Sequence, residues 1–242
     1  ASGIGRATAE AFLRAGASVH ICDIDEAALE QVIAELPRLG GTIADVSDEA
    51  AVDGLFSAAM LRLGGLDILV NNAGIAGPTA PVEEVAFDDW RRCLAVNLDG
   101  AFLCARRAAP LMKEQRSGSI VNLSSTAGLF GFPRRSPYAA AKWAIRGLTK
   151  TLAAELGPFG VRVNCICPGA VEGARIDRVI ARDAEKTGRS ANEVRAQYAE
   201  QSSLKTFISP DDIANAILFL TSAAGARISG QEIAVDGHTE TL

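Results

Sequence analysis

Leu66-Asp67-Ile68-Leu69-Val70-Asn71-Asn72-Ala73-Gly74 reads as a buried strand that runs straight into amide and small residues. An apolar run this short, bounded by a turn signal, favours a strand over a helix. Small and amide residues at its carboxyl end mark the edge where open α/β sheets take up ligands. The paired Asn side chains either bond a cofactor or close an ordinary Asx turn.

Working outward, comparable Val- and Ile-rich runs fall at 18–22, 41–46, 119–124, 162–166 and 232–236. Between them lie stretches of helical periodicity at 5–15, 26–36, 48–63, 87–115, 137–156 and 211–221. Each strand reaches the next through a helix, the pattern of βαβ units that feed a parallel sheet. The expected fold is α/β: a doubly wound, Rossmann-like parallel sheet forming one domain over residues 1–242. Ser47 is the expected N-cap of the third helix, Pro210 opens the last, and Gly157-Pro158 ends the helix at 137–156. The charged, helix-prone stretch 170–207 is too long for a simple connection and is expected to form a substrate lid. A fold of this kind opens with a strand ahead of a Gly-rich turn. The sequence begins at Ala1-Ser2-Gly3-Ile4-Gly5, inside such a turn, and the first strand is expected to be missing from it.

Composition narrows the function. With 242 residues, of which 48% are hydrophobic and 22% charged, the chain can bury a full core. A net charge of -5 argues against a nucleic-acid partner, which calls for clustered Lys and Arg. No apolar run approaches the length of a membrane span and no basic-apolar leader opens the sequence, so a cytoplasmic protein without a membrane partner is expected. Five cysteines without CxxC spacing and only two histidines make buried thiols the expectation, with no metal site.

Three motifs carry chemistry. Gly3-Ile4-Gly5 ahead of an Ala-rich helix lets backbone approach a pyrophosphate at a helix N-terminus, although two spaced glycines are also a common plain turn. Asp23 ends the second expected strand, where such a fold places an acid that accepts bonds from the adenosine ribose hydroxyls and repels a 2'-phosphate. The competing reading is a helix cap, a role open to Asp25 as well. Tyr138-Ala139-Ala140-Ala141-Lys142 sets a phenol and an ammonium on one helix face, so that the cation stabilises phenolate and lets Tyr138 exchange a proton with an alcohol or ketone. Ser124-Ser125 close the strand upstream, where a hydroxyl can bond the reacting oxygen.

Taken in order, the GIG at Gly3–Gly5, Asp45-Val46, the NNAG at Asn71–Gly74, Asn97, Ser125, the YAAAK at Tyr138–Lys142 and Pro168-Gly169 make the chain resemble the short-chain dehydrogenase/reductases over essentially its whole length. The resemblance implies a catalytic triad of Ser125, Tyr138 and Lys142, with Asn97 completing a tetrad by holding a proton-relay water. It implies a nicotinamide cofactor contacted by Ser2, Gly3, Ile4, Gly5, Asp23, Asp45, Val46, Asn72, Ala73, Gly74, Tyr138, Lys142, Pro168 and Gly169, with Asp45 and Val46 at the adenine and Lys142 at the nicotinamide ribose. A homotetramer is implied too. Two positions depart from the family pattern: the opening Thr-Gly is absent, and Ala170-Val171-Glu172-Gly173 stands where many members carry a Thr after Pro-Gly.

The expected activity is therefore NAD(H)-dependent interconversion of a secondary alcohol and a ketone, a small-molecule substrate, with Tyr138 as acid/base. The alternatives are a 3-oxoacyl-thioester reductase and a catalytically silent NAD-binding member. Asp23 points to NAD over NADP, with Arg6 the one nearby cation able to reach a phosphate. Arg134 and Arg135 precede Tyr138 closely enough to meet an anionic substrate group, or else belong to a solvated loop or subunit contact.

Overall fold

The computed structural model describes residues 1–240. Six strands, β1 (Val19–Asp23), β2 (Leu39–Ile43), β3 (Ile68–Asn71), β4 (Gly118–Leu123), β5 (Val161–Pro168) and β6 (Glu232–Val235), pair only in parallel. They form two sheets, β1-β2 and β3-β4-β5-β6. No strand precedes α1 (Gly3–Arg14) among the described residues, and the facing edges of β1 and β3 border a cavity of about 1160 Å³.

Side chains alternate across β4 and β5, and both faces are covered, as a parallel sheet requires. On one face Ile120 and Val163 pack with Val52, Leu55 and Phe56 of α3 (Glu49–Leu63) and with Ala108 and Met112 of α5 (Gly100–Gln115). On the other, Val121, Leu123 and Ile166 meet Ile213, Ile217 and Leu220 of α9 (Pro210–Thr221). A buried polar thread fixes α6 (Ser136–Leu156) on the sheet. Asn71 donates to Asn122 Oδ1 at 2.8 Å, and Asn122 donates to Thr149 Oγ1 at 2.9 Å. Cutting any link would strand a buried amide, at a cost of about 1–3 kcal/mol.

Three local expectations are corrected. The strand expected at 41–46 is β2 at 39–43, because Gly40 and Gly41 let it pass close to neighbours. A Cβ on Gly40 would lie 2.3 Å from the Arg62 side chain, and one on Gly41 2.7 Å from Ile33. Asp48 rather than Ser47 caps α3, accepting from Ala51 N at 2.7 Å, while Ser47 turns back to Asp45. The helix at 87–115 is interrupted: α4 (Phe87–Leu94) and α5 are joined by a π turn at Ala95–Asp99. Pro210 opens α9 as expected, inside a capping box of Ser209 and Asp212. The stretch 170–207 holds two helices, α7 (Ala174–Thr187) and α8 (Ala191–Glu200), and its roots are joined by a Val171–Ile208 bridge.

Candidate active site

Pro137 sits in the first turn of α6, and Tyr138 and Lys142 follow on the face turned to the sheet edge, both buried. The Lys142 ammonium donates to the Leu123 carbonyl at 2.8 Å and lies 5.6 Å from the Tyr138 ring centroid. Ser124 and Ser125 divide the work at the end of β4. Ser124 donates to the Lys142 carbonyl at 2.7 Å and pins α6, whereas Ser125 caps the 3-10 turn Thr126–Gly128 beside the phenol. Gly128 is needed for this approach, since a Cβ there would stand 2.4 Å from Ser124 Oγ.

Burial alone would push the Tyr138 phenol up. Arg175, Lys142, a hydrogen bond from Ser125 and Arg135 together outweigh it, so the phenol lies below the ordinary tyrosine value. Burial pulls Lys142 down, opposed by the phenol's negative form.

Asn97 stands in the π turn, an irregularity often found at functional sites. Its amide donates to the carbonyls of Ile75 at 3.0 Å and Cys93 at 2.9 Å, and its buried Oδ1 has no protein partner. A Cβ on Gly74 would lie 2.6 Å from that oxygen and 3.7 Å from Lys142 Nζ, so Gly74 leaves open the space that joins the two.

A second group lines the far end of the same cavity. Gly3 takes a left-handed φ of 52° at the start of α1, and the Ser2 side chain does not cap the helix, so its first N–H groups face the cavity uncapped. A Cβ on Gly5 would stand 2.7 Å from Asn72 Nδ2. Asp25 caps α2 (Glu26–Glu35) by accepting from Ala28 N at 3.0 Å, which leaves Asp23 out of the helix. The Asp23 carboxylate accepts from Asp25 N and from the Ala1 amino group. Asp45 accepts from Ser47 and, at 3.0 Å, from Arg92, while Val46 is buried against Gly100. Ala73, Pro168 and Gly169 complete the wall. Arg6 is engaged elsewhere, bonding Glu10 at 2.8 Å and Glu35 at 2.5 Å.

One cation of the site was not visible in the sequence, and another was visible with its surroundings left open. Arg175, on the first turn of α7, places its guanidinium carbon 5.6 Å from the Tyr138 ring centroid. Arg135 is no solvated loop residue: it is 5% exposed, donates to the Ala76 carbonyl at 2.8 Å and stacks 5.2 Å from the same centroid. Arg134 remains exposed. Arg135 was legible only as a neighbour of Tyr138, and no spacing rule links Arg175 to a tyrosine on another helix. Glu172, in the place of the family Thr, is exposed at the cavity rim, and its backbone N–H is spent on Ile208.

A family model described as enoyl-(acyl carrier protein) reductase matches residues 1–238. The chain is 41% identical to the inactive 2-(S)-hydroxypropyl-CoM dehydrogenase 2 of Xanthobacter autotrophicus, over 95% of this chain and 97% of the relative. It is 38% identical to trans-4-hydroxycyclohexanecarboxylate dehydrogenase of Sinomonas cyclohexanicum, over 98% and 88%. Among solved structures, NAD+-bound xylitol dehydrogenase superposes with a TM-score of 0.93 at 30% identity, covering 98% of this chain and 94% of that one. An actinorhodin polyketide ketoreductase with NADPH gives a TM-score of 0.94 at 30% identity, covering 98% and 92%.

Proposed function

The chain belongs to the short-chain dehydrogenase/reductase family of oxidoreductases, and from that premise we propose that it interconverts a secondary alcohol and a ketone with NAD(H), Tyr138 passing the proton. The observation that carries this reading is the buried phenol of Tyr138, held below its ordinary value by Arg175, Lys142, Ser125 and Arg135. A phenol lowered in this way forms phenolate more readily, which is what acid/base catalysis by a tyrosine requires.

The cavity's donor set fits a dinucleotide. The uncapped first turn of α1 offers N–H groups to a pyrophosphate, Gly3 and Gly5 leave backbone bare, and Asp23 is free of any helix cap. When bound, the nicotinamide supplies the hydride acceptor in oxidation and the donor in reduction. In oxidation the carbinol carbon loses its hydride while the hydroxyl proton passes to Tyr138 as phenolate. Ser125 donates to the substrate oxygen, and Lys142 favours the phenolate by charge. Asn97 Oδ1, buried and unpartnered, accepts from the water that carries the proton onward.

With Asn97, Ser125, Tyr138 and Lys142 all lining one cavity, we read the protein as active rather than silent. A cytoplasmic homotetramer belongs to the same reading. The test is reduction of NAD by a panel of secondary alcohols, followed by absorbance, with wild type and Tyr138→Phe. The variant should lose about 100-fold or more in turnover while still binding NADH. Near-normal turnover would sink the mechanism.

A further inference from the structure

The space beside Tyr138 is rich in cations, and those that are hydrogen-bonded, Lys142 and Arg135, bond carbonyls rather than carboxylates. Arg135, Arg175 and Lys142 all lie within 5.6 Å of the Tyr138 ring centroid, and Arg178 lines the same cavity. In a chain of net charge -5 this concentration is not a product of composition. Arg175 is exposed at the cavity and its guanidinium lies over the Tyr138 ring without a carboxylate partner among the described residues, while the buried Nε of Arg135 has no partner. The carboxylates that face these groups are accounted for. Asp183 accepts from Tyr198 at 2.8 Å, and Asp177 pairs with Arg195 at 2.8 Å. Glu172 is left at the exposed rim. Arg175 also stands on the first turn of α7, whose N-cap, Gly173, offers no side chain to the orphan N–H groups. A guanidinium and an uncapped helix start within one turn favour an anion.

We propose that the substrate is a secondary alcohol or ketone carrying a compact anionic group, a carboxylate or sulfonate, received by Arg175 and the start of α7 while its carbinol carbon faces Tyr138. Buried Arg135 backs the site with positive charge and holds the Ala76 loop in place. This rests on the alcohol/ketone reading of the same site and adds the substrate class to it. The anion and the carbinol are only a few bonds apart, because Arg175 stacks on the ring that carries the reacting phenol.

The test compares each acid with a neutral isostere: 4-hydroxycyclohexanecarboxylate against its methyl ester, and 2-hydroxypropanesulfonate against 1-(methylsulfonyl)propan-2-ol. Wild type should favour the anion of at least one pair in kcat/KM by roughly 10- to 100-fold, the range of a charge-assisted hydrogen bond. Arg175→Gln should collapse that ratio about tenfold or more, and Arg175→Lys should keep most of it. The reading is the ratio, since Arg175 also acts on Tyr138. A role confined to tuning the phenol would lower acid and neutral substrate together and leave the ratio unchanged, which overturns the proposal. So does a wild-type ratio within threefold for both pairs. Calorimetric titration with cyclohexanecarboxylate, which has no hydroxyl to oxidise, decides the matter apart from turnover. Binding by wild type that weakens tenfold in Arg175→Gln supports the anion site even if no alcohol is oxidised, and absence of binding by wild type overturns it.

Discussion

The Lys142 ammonium lies 5.6 Å from the centroid of the Tyr138 ring yet gives its hydrogen bond to the Leu123 carbonyl, so it acts on the phenol through space. Leu123 ends β4, which ties the position of the charge to the sheet rather than to the flexible end of a lysine.

The pH dependence follows from the direction of the Tyr138 shift. Alcohol oxidation needs the phenolate, so kcat/KM should rise with pH and level off around a midpoint below 10. Ketone reduction needs the protonated phenol and should fall through the same midpoint. Arg175 is the strongest of the groups that lower the phenol, so Arg175→Gln should move the midpoint upward. A wild-type midpoint at or above 10, or an unmoved midpoint in the variant, would remove electrostatic activation from the mechanism.

The segment 170–207 packs little apolar surface of its own, with Ile180 and Val194 the buried hydrophobics of α7 and α8. Its roots are held by the Val171–Ile208 and Ser202–Thr239 bridges. Such a cover is expected to open more readily than the sheet. Hydrogen exchange should find α7 and α8 poorly protected alone and slowed by cofactor with substrate. Equal, strong protection in both states would make the segment fixed structure.

The sheet was legible because its strands alternate residues across two covered faces, as Ile120 and Val121 do. β2 was displaced in the reading because Gly40 and Gly41 carry no hydrophobic signal, yet only they fit against Arg62, Leu29 and Ile33. The π turn at Asn97 was invisible for a different reason: one extra residue shifts the apolar stripe once, by about 100°, and the stretches on either side still read as helix. Tyr138 and Lys142 stood out through local spacing. Arg175 did not, since its approach to Tyr138 depends on how α7 folds back over the cavity.

Assembly should follow the helices that leave apolar side chains outside. Phe102 on α5 is 47% exposed and Trp143 on α6 is 48% exposed. Around Trp143, Ala139, Ala140, Ala144 and Gly147 permit close approach, whereas Ala141 faces the interior of its own fold and contributes nothing outside. The partly apolar run 233–242 is a further docking candidate by its sequence, and its last two residues lie outside the described residues. Light scattering at micromolar concentration should return a tetramer, and Trp143→Glu should yield smaller species with far-ultraviolet dichroism unchanged. A monomer from wild type would refute the assembly.

Cofactor choice turns on Asp23 and Arg6. Because Asp25 supplies the cap of α2, the Asp23 carboxylate at the end of β1 is not spent on that cap, and its partners, Asp25 N and the Ala1 amino group, leave it lone pairs for the vicinal ribose hydroxyls of NAD. A 2'-phosphate at that place would set like charges a few ångströms apart. At an effective dielectric near 20, two unit charges about 4 Å apart interact by roughly 4 kcal/mol, so a hundredfold preference survives considerable screening at this partly exposed site. Arg6 would offset the repulsion if it turned to the phosphate, but Glu10 at 2.8 Å and Glu35 at 2.5 Å hold its guanidinium away. The expected result is kcat/KM at least about 100-fold higher with NAD than with NADP in wild type, and a ratio cut about tenfold or more in Asp23→Ala. Glu35→Gln should also raise NADP use slightly by loosening Arg6. Equal use of both cofactors by wild type, or a ratio untouched in Asp23→Ala, would mean that the carboxylate at the end of β1 does not read the ribose.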